Sequence, residues 1–485
     1  MRLWVRLSPQ VFNRLIIKQD DRQISAEYSN RVTLLQPPPS SMTNIQTAAI
    51  EKILCYILSD IHLRVPIRYQ NTTPKTHQEE ENPLLHQEHH LLDFIERLQQ
   101  EQHSNQELIL ILNGDILDIN GSWFQTPTPW DDSREKTVEA HFHTVLQHIL
   151  DHNQLIIQSL AKLLSHPNSQ LIYIIGNHDY LFGQFPSGQE RFIQALETLA
   201  PTHANIRQKI MFSHTYQNID LKLYAEHGHV LDPFNHYLQP DIPPLGEVIN
   251  VSVINQLPVN IKKTFQKNGY QLDNIQQLTH SLEEMEFLRP LTLFPIWIRL
   301  MAERFSSNSS KLPSASHIET LIQKTILATV HDQQVLDMMA EKLNVPSWLL
   351  KNTASLAIQF PWALQVTSYI LSKLIRHDKA NMDQYKKAQR LHHEQGYQFI
   401  AFGHTHKPSA KPIAETGYYF NTGSWTPVIQ LSRRPDANPT LLDLDETFRR
   451  IEHSGVVRIY KDLSQPTQPV EYALETIRSG HMSSA

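Results

Sequence analysis

Residues 171–179 read Leu-Ile-Tyr-Ile-Ile-Gly-Asn-His-Asp. Five apolar residues, the length of a buried strand, end at a glycine and run into an amide, an imidazole and a carboxylate. The pattern recurs along the chain. Ile53–Leu58 breaks into Ser59-Asp60-Ile61-His62, Leu108–Leu112 into Asn113-Gly114-Asp115, and Phe399–Phe402 into Gly403-His404-Thr405-His406. Leu221–Ala225 runs into Glu226-His227-Gly228-His229. Helical spacing lies between the strands. Val138, Phe142, Leu146, Ile149, Ile156, Leu160 and Leu164 predict one helix near 137–165, and Leu91, Leu92, Ile95 and Leu98 predict a shorter one. Strand, polar loop, helix, strand is the α/β signature, and in such folds ligands collect beyond the carboxyl ends of the strands.

Composition narrows the function classes. The chain has 485 residues, 40% hydrophobic and 19% charged, enough apolar content to fill a sizeable core. A net charge of -6 gives no overall pull toward nucleic acid, and no basic cluster with interleaved aromatics stands out to track a phosphate backbone. The single cysteine, Cys55, excludes an internal disulfide and any cysteine-built metal site, and it fits a reducing, cytoplasmic setting. No run of about 20 apolar residues predicts a membrane-spanning helix. Arg2 and Arg6 lead into mixed polar sequence, so no secretory pattern is expected.

The expected organisation is an N-terminal extension and linker over 1–50, ending in Pro37-Pro38-Pro39-Ser40-Ser41, then an α/β domain in two parts, 51–232 and 396–475. Between the parts, 233–395 holds only Gly246 and Gly269 and shows helical spacing at Ile322, Ile326 and Val330 and at Leu336, Met339 and Leu343. It is expected to be a largely helical insertion. Thr72–Asn82 reads as a loop, and residues 476–485, Ser479 to Ala485 above all, as a tail. Late strands are expected at Tyr418–Phe420, Val456–Tyr460 and Val470–Leu474.

Taken singly the polar clusters carry little. An Asp-x-His pair after a strand is often just hydrogen-bonded, and a chance His-x-His is plausible among 27 histidines. Their order is informative: Asp60-x-His62, Gly114-Asp115-x-x-Asp118, Gly176-Asn177-His178-Asp179, His227-Gly228, Gly403-His404-x-His406. This resembles the calcineurin-like metallophosphoesterase superfamily over 51–232 and 396–475, with Asn421-Thr422-Gly423-Ser424-Trp425 similar to its closing segment. The resemblance implies an α/β fold, a two-sheet αββα sandwich. It implies that Asp115 bridges two divalent ions, that Asp60, His62 and His406 complete one site, and that Asn177, His227 and His404 complete the other. It further implies attack on phosphorus by a hydroxide held between the ions, with His178 assisting the leaving group and Asp118 orienting His178. The donors agree: two carboxylates, an amide oxygen and four imidazoles suit manganese first, or iron, zinc, cobalt or nickel, rather than a sulfur-loving metal or calcium. Seven ligands are too many for one catalytic ion that keeps an open position.

The expected partner is a phosphoester substrate, nucleotide- or lipid-linked. Bacterial UDP-2,3-diacylglucosamine pyrophosphatases also place a helical lid in the insertion's interval, but usually carry Arg where this chain has His178. Trp297, Trp348 and Trp362 either pack the insertion's own core or line an apolar groove for acyl chains, a partner helix or peripheral membrane contact. Trp123, Phe124 and Trp130 line a pocket mouth or cover the core edge. Asp179 is either a residue behind the ligands or a turn stabiliser. His229 stands where many relatives have Asp and is either a loop residue or a substrate contact. A catalytically inactive binding module on the same fold is the remaining alternative, although such a module would usually have lost ligands.

Overall fold

The structure is a computed structural model. It describes residues 50–65, 83–123, 135–201, 204–232, 256–270, 284–288, 294–308, 314–330, 377–431, 448–465, 467–478 and 481–484, with isolated residues between 235 and 337. The expected linker, the loop at 72–82, and Phe124, Trp130, Leu336, Met339, Leu343, Trp348 and Trp362 lie outside the described residues.

Two sheets form the centre. β1 (Lys52–Leu58), β2 (Gln106–Asn113), β3 (Ser169–Ile174) and β4 (Ile210–Ser213) run parallel in one. β5 (Thr215–Asn218), β6 (Leu223–Glu226), β7 (Phe399–Phe402), β8 (Ser409–Ile413) and β9 (Gly417–Asn421) make the other, in the order β5-β6-β7-β9-β8. β10 (Gly423–Leu431), β11 (Phe448–Asp462), β12 (Glu471–Arg478) and β13 (His481–Ser484) extend the first sheet, with β11 antiparallel to β1.

Strand alternation explains the layering, because successive side chains point to opposite faces. On β1, Ile53, Cys55 and Ile57 face the second sheet and pack with Leu223, Ala225, Phe399 and Phe420. Leu54, Tyr56 and Leu58 face the other way, against α1 (Pro83–Glu101), α2 (Glu135–His152), α3 (Gln154–Leu164) and α4 (Pro186–Leu199). Outside the second sheet, Ala388 and Leu391 of α8 (His377–Gln395) pack on Tyr224, Ile400 and Tyr419. The result is the αββα sandwich expected from the sequence.

Several boundaries differ. The single helix expected near 137–165 is two, broken at Asn153, whose amide donates back to the Ile149 carbonyl at 2.8 Å and competes with the helix ladder. α8 falls within the interval expected as the insertion, and its apolar stripe seats on the second sheet. The expected tail holds β13, paired antiparallel with β12. β4, β5 and β8 were not anticipated, since short half-exposed strands lack a continuous apolar run; β10 is long and largely buried, but Gly423, Ser424, Thr426 and Pro427 break its apolar pattern.

Between β6 and β7, which pair directly in parallel, the described chain is helical: α5 (Gln256–Lys267), α6 (Phe294–Asn308) and α7 (Ala315–Val330). These share a core of their own, including Leu257, Ile261, Phe265, Trp297, Met301 and Ile322. Trp297 is buried there, the packing alternative, and Trp123 is fully buried in the helix-side core. Among the described residues, no helix is long and apolar enough to cross a membrane.

Phe142 is fully buried, its ring 5.8 Å from Phe182 and 6.0 Å from Phe185. Truncation leaves a cavity that packed helices cannot collapse into. Phe142→Ala should lower unfolding stability by about 3–5 kcal/mol, measured by denaturant titration.

Candidate metal centre

Each polar cluster leaves the carboxyl end of a strand. Asp60 and His62 follow β1, Asp115 and Asp118 follow β2, and Asn177 and His178 follow β3; His227 follows β6, and His404 and His406 follow β7. The first three strands belong to one sheet and the last two to the other. Cross-sheet bonds hold the two rims together: Asn113 Nδ2 donates to the Glu226 carbonyl at 3.1 Å, and His404 N donates to Asp60 Oδ2 at 3.0 Å.

Two groups of candidate ligands result. In the first, His406 Nε2 lies 3.2 Å from Asp60 Oδ1 and 3.4 Å from His62 Nε2. In the second, His227 Nε2 lies 3.0 Å from Asp115 Oδ2 and 3.3 Å from Asn177 Oδ1, and His404 joins Asp115 and His227. The atoms that Asp60, His62 and His406 offer lie within 4.8 Å of one another, as do those of Asp115, His227 and His404. Asp115 sits in the second group by contact, and its charge also reaches Asp60 and His62 of the first. The seven side chains expected as ligands therefore converge at one end of the sandwich.

The donors suit divalent cations. Burial favours neutral His62 and, with His178 adding to it, drives its pKa down to about 3, so the ring presents a lone pair rather than a proton. Burial alone would raise Asp60, but His227 and His406 hold it down at about 2. Burial would likewise depress His227, yet Asp115 and Asp60 raise it to about 10. In the ion-free protein one imidazolium thus stands in for positive charge between two buried carboxylates. A cation placed there would take over that role once the proton left.

The backbone is strained at these positions. Asp60, His62, Asp115, His404 and His406 all have positive φ, between 53° and 71°. Left-handed backbone costs a non-glycine residue roughly 1–2 kcal/mol, and such residues concentrate at functional sites. Gly114 is needed for a different reason: at φ 86°, a Cβ there would strike the His227 ring.

A third group, His62, Asp118 and His178, also brings its atoms within 4.8 Å. Asp118 Oδ1 is already engaged, accepting from Gly121 N and facing His178 Nδ1, each at 2.7 Å. His178 is 22% exposed and its ring stands edge-on to His62 at 4.6 Å. Asp179 is fully buried and accepts from Gly176 N, Ile116 N and Tyr173 OH at 2.6–2.9 Å, tying the β3 turn to the segment after Asp115. That is turn stabilisation. His229 is half-buried, its ring 5.4 Å from His227 and 6.4 Å from His404.

Sequence reading missed several supporting residues. Ser59 bonds both Asp60 and Thr422. Fully buried Gln384 donates to the Gly403 carbonyl at 3.1 Å and accepts from Tyr419 OH and Asn421 Nδ2. Asp232 Oδ2 lies 3.1 Å from His404 Nε2. A glutamine inside an amphipathic helix gives no sequence signal; Asp232, before Pro233, reads only as a turn former.

The family model described as calcineurin-like phosphoesterase matches residues 54–325. No curated protein matches the chain.

The raised His227 sets a pH dependence for the ion-free protein. A folded-state pKa near 10 against an ordinary 6.5 contributes stability that is full below about 6.5 and lost as pH rises toward 10. Unfolding of chelator-treated protein at pH 6.5, 8 and 9.5 should show falling stability, and His227→Gln should flatten that fall.

Proposed function

The chain belongs to the calcineurin-like phosphoesterase family, and we propose that it hydrolyses a phosphomonoester, phosphodiester or pyrophosphate with the help of two divalent ions. The observation that carries this reading is the convergence of seven ligand-type side chains, five of them on strained backbone, at the strand ends of both sheets. Asp60, His62 and His406 would hold one ion, Asn177, His227 and His404 the other, and Asp115 both. The bound ions would activate a water near neutral pH and neutralise the phosphoryl oxygens. Manganese is the expected occupant.

The remaining chemistry falls to the protein. His178 is accessible from solvent, and its Nδ1 is held by Asp118. As a general acid it would deliver its proton to the departing oxygen. Asp118, facing Nδ1 at 2.7 Å, would orient the ring. An inactive binding module would have little use for buried carboxylates on strained backbone, which favours the enzyme. A lipid-linked pyrophosphate stays among the substrates to be assayed because the helical segment between β6 and β7 occupies the interval of the lid in UDP-2,3-diacylglucosamine pyrophosphatases. A cytoplasmic setting is in keeping with Cys55, buried and with its thiol pushed up by burial.

The deciding experiment loads the protein with manganese and assays chromogenic mono- and diesters, nucleotides and lipid-linked pyrophosphates. Turnover of none of them by protein that holds two ions would defeat the proposal. His178→Ala should keep both ions by elemental analysis and lose about 10²–10⁴ in turnover. Asp115→Asn should lose ions from both sites.

A further inference from the structure

The imidazoles expected to bind metal share a habit. Each has a second ring nitrogen, and what that nitrogen meets decides which way the ring points and which nitrogen keeps its lone pair. His227 turns Nδ1 to the Asn113 carbonyl at 2.9 Å, leaving Nε2 toward Asp115 and Asn177. His62 turns Nδ1 toward Asp118 at 4.0 Å, leaving Nε2 toward His406. For His404 the outward partner is a carboxylate: Nε2 lies 3.1 Å from Asp232 Oδ2. Asp232 is itself steadied by Asn235, whose Nδ2 donates to Oδ2 at 2.8 Å and whose backbone N–H donates to the Asp232 carbonyl at 3.0 Å. Asp232 and His404 are only 15% and 7% exposed, so water competes poorly for the contact.

We propose that Asp232 is the positioning residue of the second metal site: it accepts the Nε2 proton of His404 and fixes the ring so that Nδ1 would face the ion. The inference rests on the two-ion reading above and adds to it a residue outside the motif. The backbone of His404 is already anchored, through its N–H to Asp60 and through Gln384 to the preceding carbonyl of Gly403. The ring torsions are what remain free, and Asp232 supplies the restraint. Because Asp232 opens the long segment between β6 and β7, while Asn381 and Gln384 near its end bond the loop at Thr405 and Gly403, both ends of that segment grip the loop of His404.

The test is manganese titration of the chelator-treated full chain by calorimetry, with electron paramagnetic resonance reporting the magnetically coupled pair. Wild type should bind two ions. Asp232→Ala should bind the first normally and the second about 10–100-fold more weakly, with the coupled signal lost. Asp232→Asn, which can still accept from Nε2–H, should recover part of the affinity; if the alanine variant does not fold, the asparagine and glutamate variants carry the comparison. Two ions in wild type with equal second-site affinity in these folded variants would overturn this inference alone. Failure of wild type to bind two ions would overturn the two-ion reading, and this inference with it.

Discussion

Asp60 and Asp115 are almost wholly removed from water and sit close enough to repel one another. Two buried carboxylates in that position are untenable without compensation, and the surrounding architecture supplies it. His227 from the opposite sheet contributes positive charge, and backbone amides of His178 and His404 donate to the carboxylate oxygens. The compensation works only if the rims of both sheets are held in register. Asn113, Ser59 and Thr422 provide that at the strand ends, and Trp425 donates its backbone N–H to the Asp60 carbonyl at 3.1 Å.

The scaffold was legible in the sequence where strands are fully buried. β1, β2, β3 and β7 are near-continuous apolar runs because both faces are covered, and each ends in a polar cluster that marks the change from core to rim. β5 and β8 carry their residues half in solvent and merge with the loops beside them. Asn153 hid a helix break, since an asparagine on the face of an amphipathic pattern looks like any other polar position.

The site was legible to a different degree. Side chains that would touch a cation are restricted to a few chemical types, so they stood out. Residues that hold those side chains in place can be almost anything. Ser59, Asn113, Asp232 and Gln384 reach the site through hydrogen bonds to partners more than a hundred residues away or on another element. Only the folded chain brings them together, and no local spacing announces them. The same reasoning accounts for α8: its seat on the second sheet depends on Ile400 and Tyr419, neither of which its own pattern reveals.

The left-handed conformations at Asp60, His62, Asp115, His404 and His406 have an evolutionary corollary. Each is a place where glycine or asparagine would let the main chain relax, and at Asp60 and Asp115 a neutral side chain would also end the crowding of like charge. Random drift in a lineage no longer selected for turnover would erode these positions early, since erosion there makes the protein sturdier. Holding all five together lowers the stability of the fold, a cost that binding a cation at the rim would offset.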